Sequence, residues 1–330
     1  MTDAAIHVEG LNKRFGDVVA LDGIDFDVAA HTVFGLLGPN GAGKTTAIRI
    51  LSTVLTPDDG VAEVLGHDVT RSPDAVRRVI GLAGQFAAID PNLTGRENLR
   101  LIGMLTQMVP SAILPRADEL LARFDLLDAA DRPARTYSGG MRRRLDIGAA
   151  LMPRPPVLFL DEPTTGLDLF SRNELWNMIR ELVSDGTTVL LTTQYLEEAD
   201  KLAGRVAVID QGHVIANDAP SVLKAQLGST VAELGFDEED AAERARSRLA
   251  EAHNVEREGS TVRLSTNDGP RVLIEVLRTL DTGQIAPSTL TVHEPSLDDV
   301  FLALTGHHAE VEAPEEELVG AGRPGRRGRG

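Results

Sequence analysis

The chain has 330 residues, of which 42% are hydrophobic, so it can bury a core in each of two domains. Its formal net charge of −17 argues against nucleic acid or anionic lipid as a direct partner, because both would repel it at long range. It has no cysteine, which excludes disulfides and thiolate metal sites. We expect neither a signal peptide nor a membrane span, since no basic leader and no run of ~18 apolar residues is present.

The first predicted elements are strands that lead into a glycine-rich loop. Apolar and polar residues alternate over 6–8 and 24–28, with turn residues at 16–17 between them, which predicts an antiparallel pair. A buried strand is predicted at 31–37 and a helix at 47–51. The loop between these two elements fits the pattern Gly-x-x-x-x-Gly-Lys-Ser/Thr. Its residues are Gly38, Pro39, Asn40, Gly41, Ala42, Gly43, Lys44, Thr45 and Thr46.

This loop has the chemistry of a phosphate-binding site. Glycines let the backbone curl so that successive N–H groups point at phosphate oxygens, and the following helix adds the positive end of its dipole. The Lys44 ammonium would reach the β- and γ-phosphates, which makes it a candidate catalytic residue, and the Thr45 hydroxyl would ligate Mg²⁺. The sequence therefore predicts a nucleoside triphosphate site.

The region after the loop is predicted to be mostly helical. The pattern covers residues 74–130, with turn breaks at 90–92 and 109–110. One face of a helix in this region is predicted from the apolar spacing of Leu120, Leu121, Phe124 and Leu127.

A second anion site is predicted where the next helix begins. The helix is expected to run to Leu151, and its opening leaves a hydroxyl and backbone N–H groups at the positive end of the dipole. The residues of this opening are Ser138, Gly139 and Gly140. Three arginines follow, Arg142 to Arg144. Because Asp146 lies four residues after Arg142, we interpret them as the solvated face of the helix.

Two carboxylates follow a predicted buried strand at 157–160. A second such strand is predicted at 188–191, with a helix at 171–184 between them, which indicates a parallel sheet. Ligands of such sheets bind at the carboxyl ends of the strands. There Asp161 is expected to hold Mg²⁺, and Glu162 is expected to act as the base that activates the attacking water.

The last third of the chain has a different pattern. After a hairpin around residues 206–215, strands and helices alternate as βαββαβ from 230 to 293, which predicts a small α+β, ferredoxin-like unit. A final helix is predicted to begin at Ser296 and to pack back on the chain. Acidic residues and then arginines among glycines form a tail at 307–330, which we expect to be disordered.

The phosphate loop, the Ser-Gly-Gly segment and the Asp-Glu pair, in this order, resemble the ATP-binding subunits of ABC transporters over about residues 6–225. The resemblance implies an α/β fold of the P-loop NTPase, ABC type, with a mixed, mainly parallel core sheet, an antiparallel β subdomain and a helical subdomain at about 86–150. It implies a nucleotide-binding domain at 1–227, and the change of pattern after this domain predicts an accessory domain at 228–306. In this family the Ser-Gly-Gly residues contact the γ-phosphate of ATP held by a second copy, so that two copies sandwich two nucleotides head to tail.

Four further residues match positions of the family. Phe15 would stack on adenine, although a core aromatic of the first sheet is an alternative. Gln85 would reach Mg²⁺ and border the groove where the membrane subunit docks, although a solvated loop glutamine is an alternative. Asp168 would lie in the loop that crosses between subunits, and we expect a looser turn there because Leu169 replaces the usual proline. Gln194 stands where most members have a histidine that contacts the γ-phosphate. Since an amide donates a hydrogen bond but cannot titrate, slow hydrolysis is predicted.

The sequence resembles the daunorubicin/doxorubicin-resistance type of drug-export ATPase over nearly the whole folded chain. The segments that carry this resemblance are Thr-Thr-Gln-Tyr-Leu-Glu-Glu-Ala-Asp, Thr-Tyr-Ser-Gly-Gly-Met-Arg-Arg-Arg-Leu-Asp, Gly-Gln-Phe-Ala-Ala-Ile-Asp and, near the end, Glu-Pro-Ser-Leu-Asp-Asp-Val-Phe-Leu. The resemblance implies an ATP-hydrolysing motor that uses ATP and Mg²⁺ and exports amphiphilic drugs or antibiotics. Its implied partners are a second copy and an integral-membrane permease, with no direct binding of drug or nucleic acid. The implied location is the cytoplasmic face of the cell membrane, as a peripheral protein.

Two other classes of function stay open at this point. A soluble ABC ATPase that works on ribosomes or DNA would use the same site, although such proteins usually carry two cassettes or a long coiled coil. A regulatory ligand-binding module would describe residues 228–304 alone. The sequence shows one cassette and no heptad run, which favours the motor.

Overall fold

The computed structural model describes residues 4–84, 89–227, 230–250, 255–266 and 269–305. Its strands are β1 (Ala4–Phe15), β2 (Val18–Ala29), β3 (Val33–Leu37), β4 (Asp59–Val64), β5 (His67–Asp68), β6 (Ile80–Ala83), β7 (Val157–Asp161), β8 (Thr188–Thr193), β9 (Arg205–Asp210), β10 (His213–Asp218), β11 (Thr230–Gly235), β12 (Val255–Glu258), β13 (Thr261–Thr266) and β14 (Thr289–His293). Its helices are α1 (Lys44–Leu51), α2 (Pro73–Val79), α3 (Gly95–Leu105), α4 (Pro110–Arg123), α5 (Gly139–Ala150), α6 (Leu169–Ser184), α7 (Leu196–Leu202), α8 (Pro220–Gln226), α9 (Glu239–Leu249), α10 (Gly269–Thr282) and α11 (Leu297–Thr305).

Two sheets form the first part of the chain. The antiparallel sheet has the order β2-β1-β4-β5, which confirms the predicted strand pair at the N-terminus. The core sheet has the order β10-β9-β3-β8-β7-β6, and all of its neighbouring strands are parallel except β9 and β10. Because parallel strands end at the same edge, the register brings Leu37 beside Thr193 and Asp161 beside Thr192. The segments that follow β3, β7 and β8 therefore meet at one edge of the sheet.

One strand of the core sheet was not predicted. Residues Ile80–Ala83 form β6, which pairs with β7, whereas the sequence pattern predicted mostly helix from 74 to 130. A four-residue run containing two small residues has too little periodicity to distinguish a buried strand from a helix. The prediction was wrong here because the partner strand, β7, lies more than seventy residues later in the chain.

Three helices, α3 to α5, lie between β6 and β7 in the chain. α3 begins with a capping box, in which Thr94 accepts from the Glu97 N–H and Glu97 accepts from the Thr94 N–H. Leu120, Leu121 and Phe124 are buried on one side of α4, as predicted. Leu127 is not part of that face, because the helix ends at Arg123 and the Leu127 side chain is half exposed.

The third sheet confirms the predicted ferredoxin-like unit. It has the order β12-β13-β11-β14, all neighbouring pairs are antiparallel, and the strands and helices alternate as βαββαβ. Its own hydrophobic core joins the sheet to α9 and α10. The buried residues of this core include Ala232, Leu234, Ala242, Leu249, Val262, Leu264, Val276 and Leu280.

The last helix of the described residues, α11, packs back on the first part of the chain, as predicted. It contacts α7 and α8, and Leu297, Val300 and Phe301 are buried in the same hydrophobic cluster as the helical subdomain and the core sheet. Ser296 caps the helix, since its hydroxyl accepts from the Asp299 N–H at 3.2 Å. In the described part of the chain, none of the helices has the length and apolarity needed to cross a bilayer. The expected tail at 307–330 lies outside the described residues.

Candidate functional site

A cavity of about 320 Å³ opens at the carboxyl edge of the core sheet. The phosphate loop forms one wall, and the residues that follow β7 and β8 form another. The lining residues are Val18, Ala20, Asn40, Gly41, Gly43, Lys44, Thr45, Thr46, Glu162, Thr165 and Gln194. The fold therefore brings the predicted phosphate loop, the predicted base and the unusual glutamine to one place.

Two glycines give the phosphate loop its tight path. Gly38 has φ of 151°, and a Cβ there would lie 2.1 Å from the carbonyl oxygen of Ile209. Gly43 has φ of 113°, and a Cβ there would lie 2.4 Å from the carbonyl oxygen of Ala20. Any larger residue at either position would displace backbone, so glycine is required for the loop to curl against β2 and β9.

Lys44 folds back into this loop. Its Nζ donates to the carbonyl oxygens of Gly38 at 2.7 Å and Pro39 at 2.9 Å, and the side chain is buried. Burial lowers the pKa of Lys44, while the nearby carboxylates of Glu162 and Asp161 act in the opposite direction. Among the described residues its hydrogen-bond partners are carbonyl oxygens, so this buried ammonium is available to a stronger anionic partner such as a phosphate.

Asp161 and Thr45 provide oxygens suited to a divalent cation. The Asp161 carboxylate is buried, and its Oδ1 accepts from Thr45 Oγ1 at 3.2 Å and from Thr192 Oγ1 at 2.6 Å. Carboxylate and hydroxyl oxygens are the ligands that Mg²⁺ prefers, usually together with water and phosphate oxygens. The side chains present at this point therefore fit the predicted cation.

Glu162 has an unusual backbone conformation. Its φ is 47°, in the left-handed region that non-glycine residues rarely adopt. Its N–H donates to the carbonyl oxygen of Thr192 at 3.2 Å and to Thr192 Oγ1 at 3.0 Å. This conformation turns the chain directly after β7, and Glu162 lines the cavity while Asp161 stays buried in the strand.

The interpretation of the three arginines as a solvated face is wrong for Arg143. Its guanidinium donates to the carbonyl oxygens of Gly84 at 2.7 Å, Asp161 at 3.0 Å and Pro163 at 2.9 Å, and contacts Asp146 at 3.2 Å. Burial lowers the pKa of Arg143, while Asp146 acts in the opposite direction. Asp146 therefore pairs with Arg143 rather than with the exposed Arg142, because helix residues three apart also share a face.

The Ser-Gly-Gly segment opens α5, as predicted. The Ser138 hydroxyl caps the helix by accepting from the Met141 N–H at 3.2 Å. Ser138, Gly139 and Gly140 do not line the cavity that contains Lys44. A Cβ on Gly140 would lie 2.8 Å from Ser171 Oγ in α6. Within one chain, then, the Ser-Gly-Gly segment lies against α6 and does not line the cavity formed by the phosphate loop.

Asp168 forms a well-defined turn rather than the looser one expected. Its Oδ1 accepts from the Ser171 N–H at 2.8 Å, which caps α6 and lowers the pKa of Asp168. Leu169 occupies the first helical position, where proline is usual but not required. Leu169 and Phe170 are both largely exposed.

Gln194 lines the cavity, and Phe15 lies at the end of β1 outside its lining. Gln194 is buried against the cavity, and its Oε1 has no hydrogen-bond partner among the described residues. Phe15 is 47% exposed at the end of β1, which argues against the alternative of a core aromatic. Gln85 lies outside the described residues.

Sequence reasoning missed several residues of the site. Thr192 bonds both Asp161 and the Glu162 backbone, and its position at the end of a strand adjacent to β7 was a usable signal. Glu198 on α7 is fully buried and accepts from Thr164 Oγ1 at 3.1 Å and Trp176 Nε1 at 3.0 Å. Burial raises the pKa of Glu198. No sequence pattern distinguished Glu198 from its exposed neighbour Glu197.

Comparisons with known proteins agree with this geometry. The family described as "ABC transporter" matches residues 21–165, and the family described as "ATP-binding protein DrrA1-3-like, C-terminal domain" matches residues 219–305. The chain is 51% identical to the daunorubicin resistance ATP-binding protein DrrA2 of Streptomyces coeruleorubidus, over 96% of this chain and 99% of the relative.

More distant matches extend the same result. The chain is 39% identical to the Nod factor export ATP-binding protein I of Ralstonia nicotianae, over 91% of this chain and 94% of the relative. A solved structure of the ATP-binding subunit of an ABC transporter superposes with a TM-score of 0.61 at 26% identity, over 67% of this chain and 92% of that one. The chain therefore belongs to the ATP-hydrolysing subunits of the ABC transporter family, and within them to the daunorubicin/doxorubicin-resistance type.

Proposed function

We propose that this chain is the motor subunit of an exporter and that two copies share two nucleotides in a head-to-tail dimer. The observation that carries the proposal is the separation, within one chain, of the phosphate loop from the Ser-Gly-Gly segment, each of which is predicted to bind an anion. Lys44, Thr45 and Glu162 line one cavity, while Ser138 caps a helix that does not line it. A second copy would complete the cavity by presenting its own Ser138, Gly139 and Gly140 to the γ-phosphate.

In this site ATP binds on the phosphate loop with Mg²⁺. The loop N–H groups and Lys44 hold the phosphates, Thr45 and Asp161 hold the cation, with Gln85 as a further ligand, and Phe15 stacks on the adenine. Mg²⁺ held by these residues would neutralise charge on the phosphate oxygens. Glu162 orients and deprotonates the attacking water, and the Gln194 amide bonds the γ-phosphate. Asp168 lies in the loop that crosses to the second copy.

The second partner is an integral-membrane permease. A group of large apolar side chains is exposed around α3 and the start of α4, which is typical of a protein-binding surface. Its members are Leu101, Met104, Leu105, Val109 and Leu114. With a net charge of −17 the chain is repelled by anionic lipid. Its attachment to the cytoplasmic face of the membrane, as a peripheral protein, therefore goes through a protein partner. The names of the relatives support an amphiphilic drug or antibiotic as the exported compound, bound by the permease and not by this chain.

A mixing experiment tests the shared site. Lys44→Ala disables the phosphate loop, and Ser138→Asp places a negative charge at the second anion site while keeping a good helix cap. Each variant alone is expected to lack ATPase activity, whereas a mixture of the two regains activity because each mixed dimer holds one intact site. The neutral cap in Ser138→Asn is the control for the charge. A mixture no more active than its two components would overturn the shared site.

A further inference from the structure

We infer that Arg143 is a positioning residue for ATP hydrolysis, which holds Glu162 in its left-handed backbone conformation. Arg143 donates to the carbonyl oxygen of the residue before Glu162, which is Asp161, and to that of the residue after it, Pro163. The first carbonyl group lies in the peptide bond before Glu162, and the second lies in the peptide bond after Pro163. The two bonds therefore enclose Glu162 and Pro163. One guanidinium thus clamps the turn from both sides.

The clamp matters because the Glu162 conformation is unfavourable by itself. A non-glycine residue at φ of 47° persists only where its surroundings determine it. Thr192 fixes the Glu162 N–H from the side of the sheet. The Thr165 N–H donates to the Glu162 carbonyl oxygen at 3.4 Å, and Arg143 adds a further restraint by binding the Asp161 and Pro163 carbonyl oxygens, which accept from neither threonine. If this restraint is lost, the backbone can relax and the carboxylate moves relative to the cavity.

The guanidinium is suited to this role in a way that an ammonium is not. Its donors lie in a rigid plane and reach four partners here, the carbonyl oxygens of Asp161, Pro163 and Gly84 and the carboxylate of Asp146. Asp146 lies one turn further along α5 and is buried, so it orients the guanidinium from the same helix. Arg143 therefore links the helix that begins at Ser138 to the turn that carries the base.

Arg143→Lys tests this inference, which rests on the proposed role of Glu162 as the base. Arg116→Lys is a matched control, because Arg116 is also buried, pairs with Glu119 and donates to a backbone carbonyl oxygen, that of Leu151. Both variants are expected to lower the melting temperature. Only Arg143→Lys is expected to lower kcat, by about ten- to hundred-fold, with KM for ATP changed less than about three-fold. Arg143→Gln is the second variant if the lysine variant does not fold.

A background experiment separates positioning from general destabilisation. In a Glu162→Gln background, adding Arg143→Lys is expected to change the single-turnover rate less than about two-fold, because the group that Arg143 positions is already gone. Three outcomes would each overturn the inference and leave the proposed function intact. They are a normal kcat for Arg143→Lys, a kcat loss equal to that of Arg116→Lys, and a further ten-fold loss of the single-turnover rate in the Glu162→Gln background. Normal turnover by Glu162→Gln itself would instead overturn the proposed base, and the inference with it.

Discussion

Individual side chains at the cavity differ in how far the sequence revealed them. The lysine of a phosphate loop, Lys44, and the acids after a buried strand follow local patterns, so their positions were predicted. Arg143 binds backbone groups of residues distant in the chain, and such contacts leave no local pattern. Thr192 could be found from the sequence only through its place at the end of the strand beside β7. Gln194 was predicted at the site, yet its unpaired Oε1 became visible only in the folded chain.

Because the Gln194 amide does not titrate, we expect the ATPase rate to lack the pH dependence that a histidine at this position would add. Replacing it by histidine, Gln194→His, introduces a group whose ordinary pKa is about 6.5. The protonated imidazole adds a positive charge for the γ-phosphate, so kcat of the variant is expected to rise as pH falls from 8 to 6 relative to the unmodified chain. The measurement is phosphate release across that range. Gln226→His, at an exposed position at the end of α8, is the control, and parallel pH profiles for all three proteins would contradict the prediction.

At the scale of elements, contacts between segments explain the burial of Glu198, which the pattern of its own helix did not predict. Glu198 on α7 joins Trp176 of α6 to Thr164, which follows β7, so one buried carboxylate connects three segments near the cavity. The βαββαβ order was predictable because each of its elements has a clear period. β6 was not, because its strand character depends on pairing with β7.

Glu198→Gln is expected to change how stability depends on pH. Burial raises the pKa of Glu198 above its unfolded value of about 4.3. The contribution of Glu198 to the free energy of unfolding is therefore greatest below that pH and is lost as pH rises through the folded pKa. A glutamine does not ionise, so stability is not lost in this way as pH rises. It also keeps both partners, since its oxygen can accept from Trp176 and its amide can donate to the Thr164 hydroxyl. The melting temperature of the variant relative to the unmodified chain should therefore increase between pH 4.5 and pH 8. A difference that stays constant with pH would show that the buried carboxylate is not responsible.

The docking of α11 predicts unequal effects of two substitutions on one helix. Phe301 is 1% exposed within the core cluster, whereas Leu304 is 45% exposed. Phe301→Ala should lower the free energy of unfolding by about 3–5 kcal/mol because it leaves a cavity. Leu304→Ala should change it by less than about 0.5 kcal/mol. Urea unfolding of the full chain measures both, and similar effects of the two would mean that α11 does not pack as described.

For the whole molecule, charge and exposed surface together define where partners can bind. The strongly acidic composition was evident from the sequence, but the apolar group around α3 was not, because an amphipathic pattern does not reveal which faces stay uncovered. Leu105 and Val109 are the most exposed members of this group.

This surface predicts that permease binding can be lost separately from catalysis. Leu105→Glu places a charge on the apolar group without touching the cavity, so the chain should no longer co-purify with a polytopic membrane protein, while its ATPase activity alone is retained. Val54→Glu is the control, because Val54 has a similar exposure of 63% but follows α1. Co-purification is measured from membranes solubilised in mild detergent. Unchanged recovery of the membrane protein with Leu105→Glu would exclude this surface, and recovery only with ribosomes would exclude the transporter function.

The return of α11 to the first part of the chain also determines when folding can finish. The apolar surface of α7 and α8 that Leu297, Val300 and Phe301 cover is synthesised about 70 to 100 residues before them. That surface stays open on the ribosome until α11 emerges. The nucleotide-binding part therefore completes its core only after nearly the whole chain has been translated, and a chain that stops earlier presents a hydrophobic patch to chaperones and proteases.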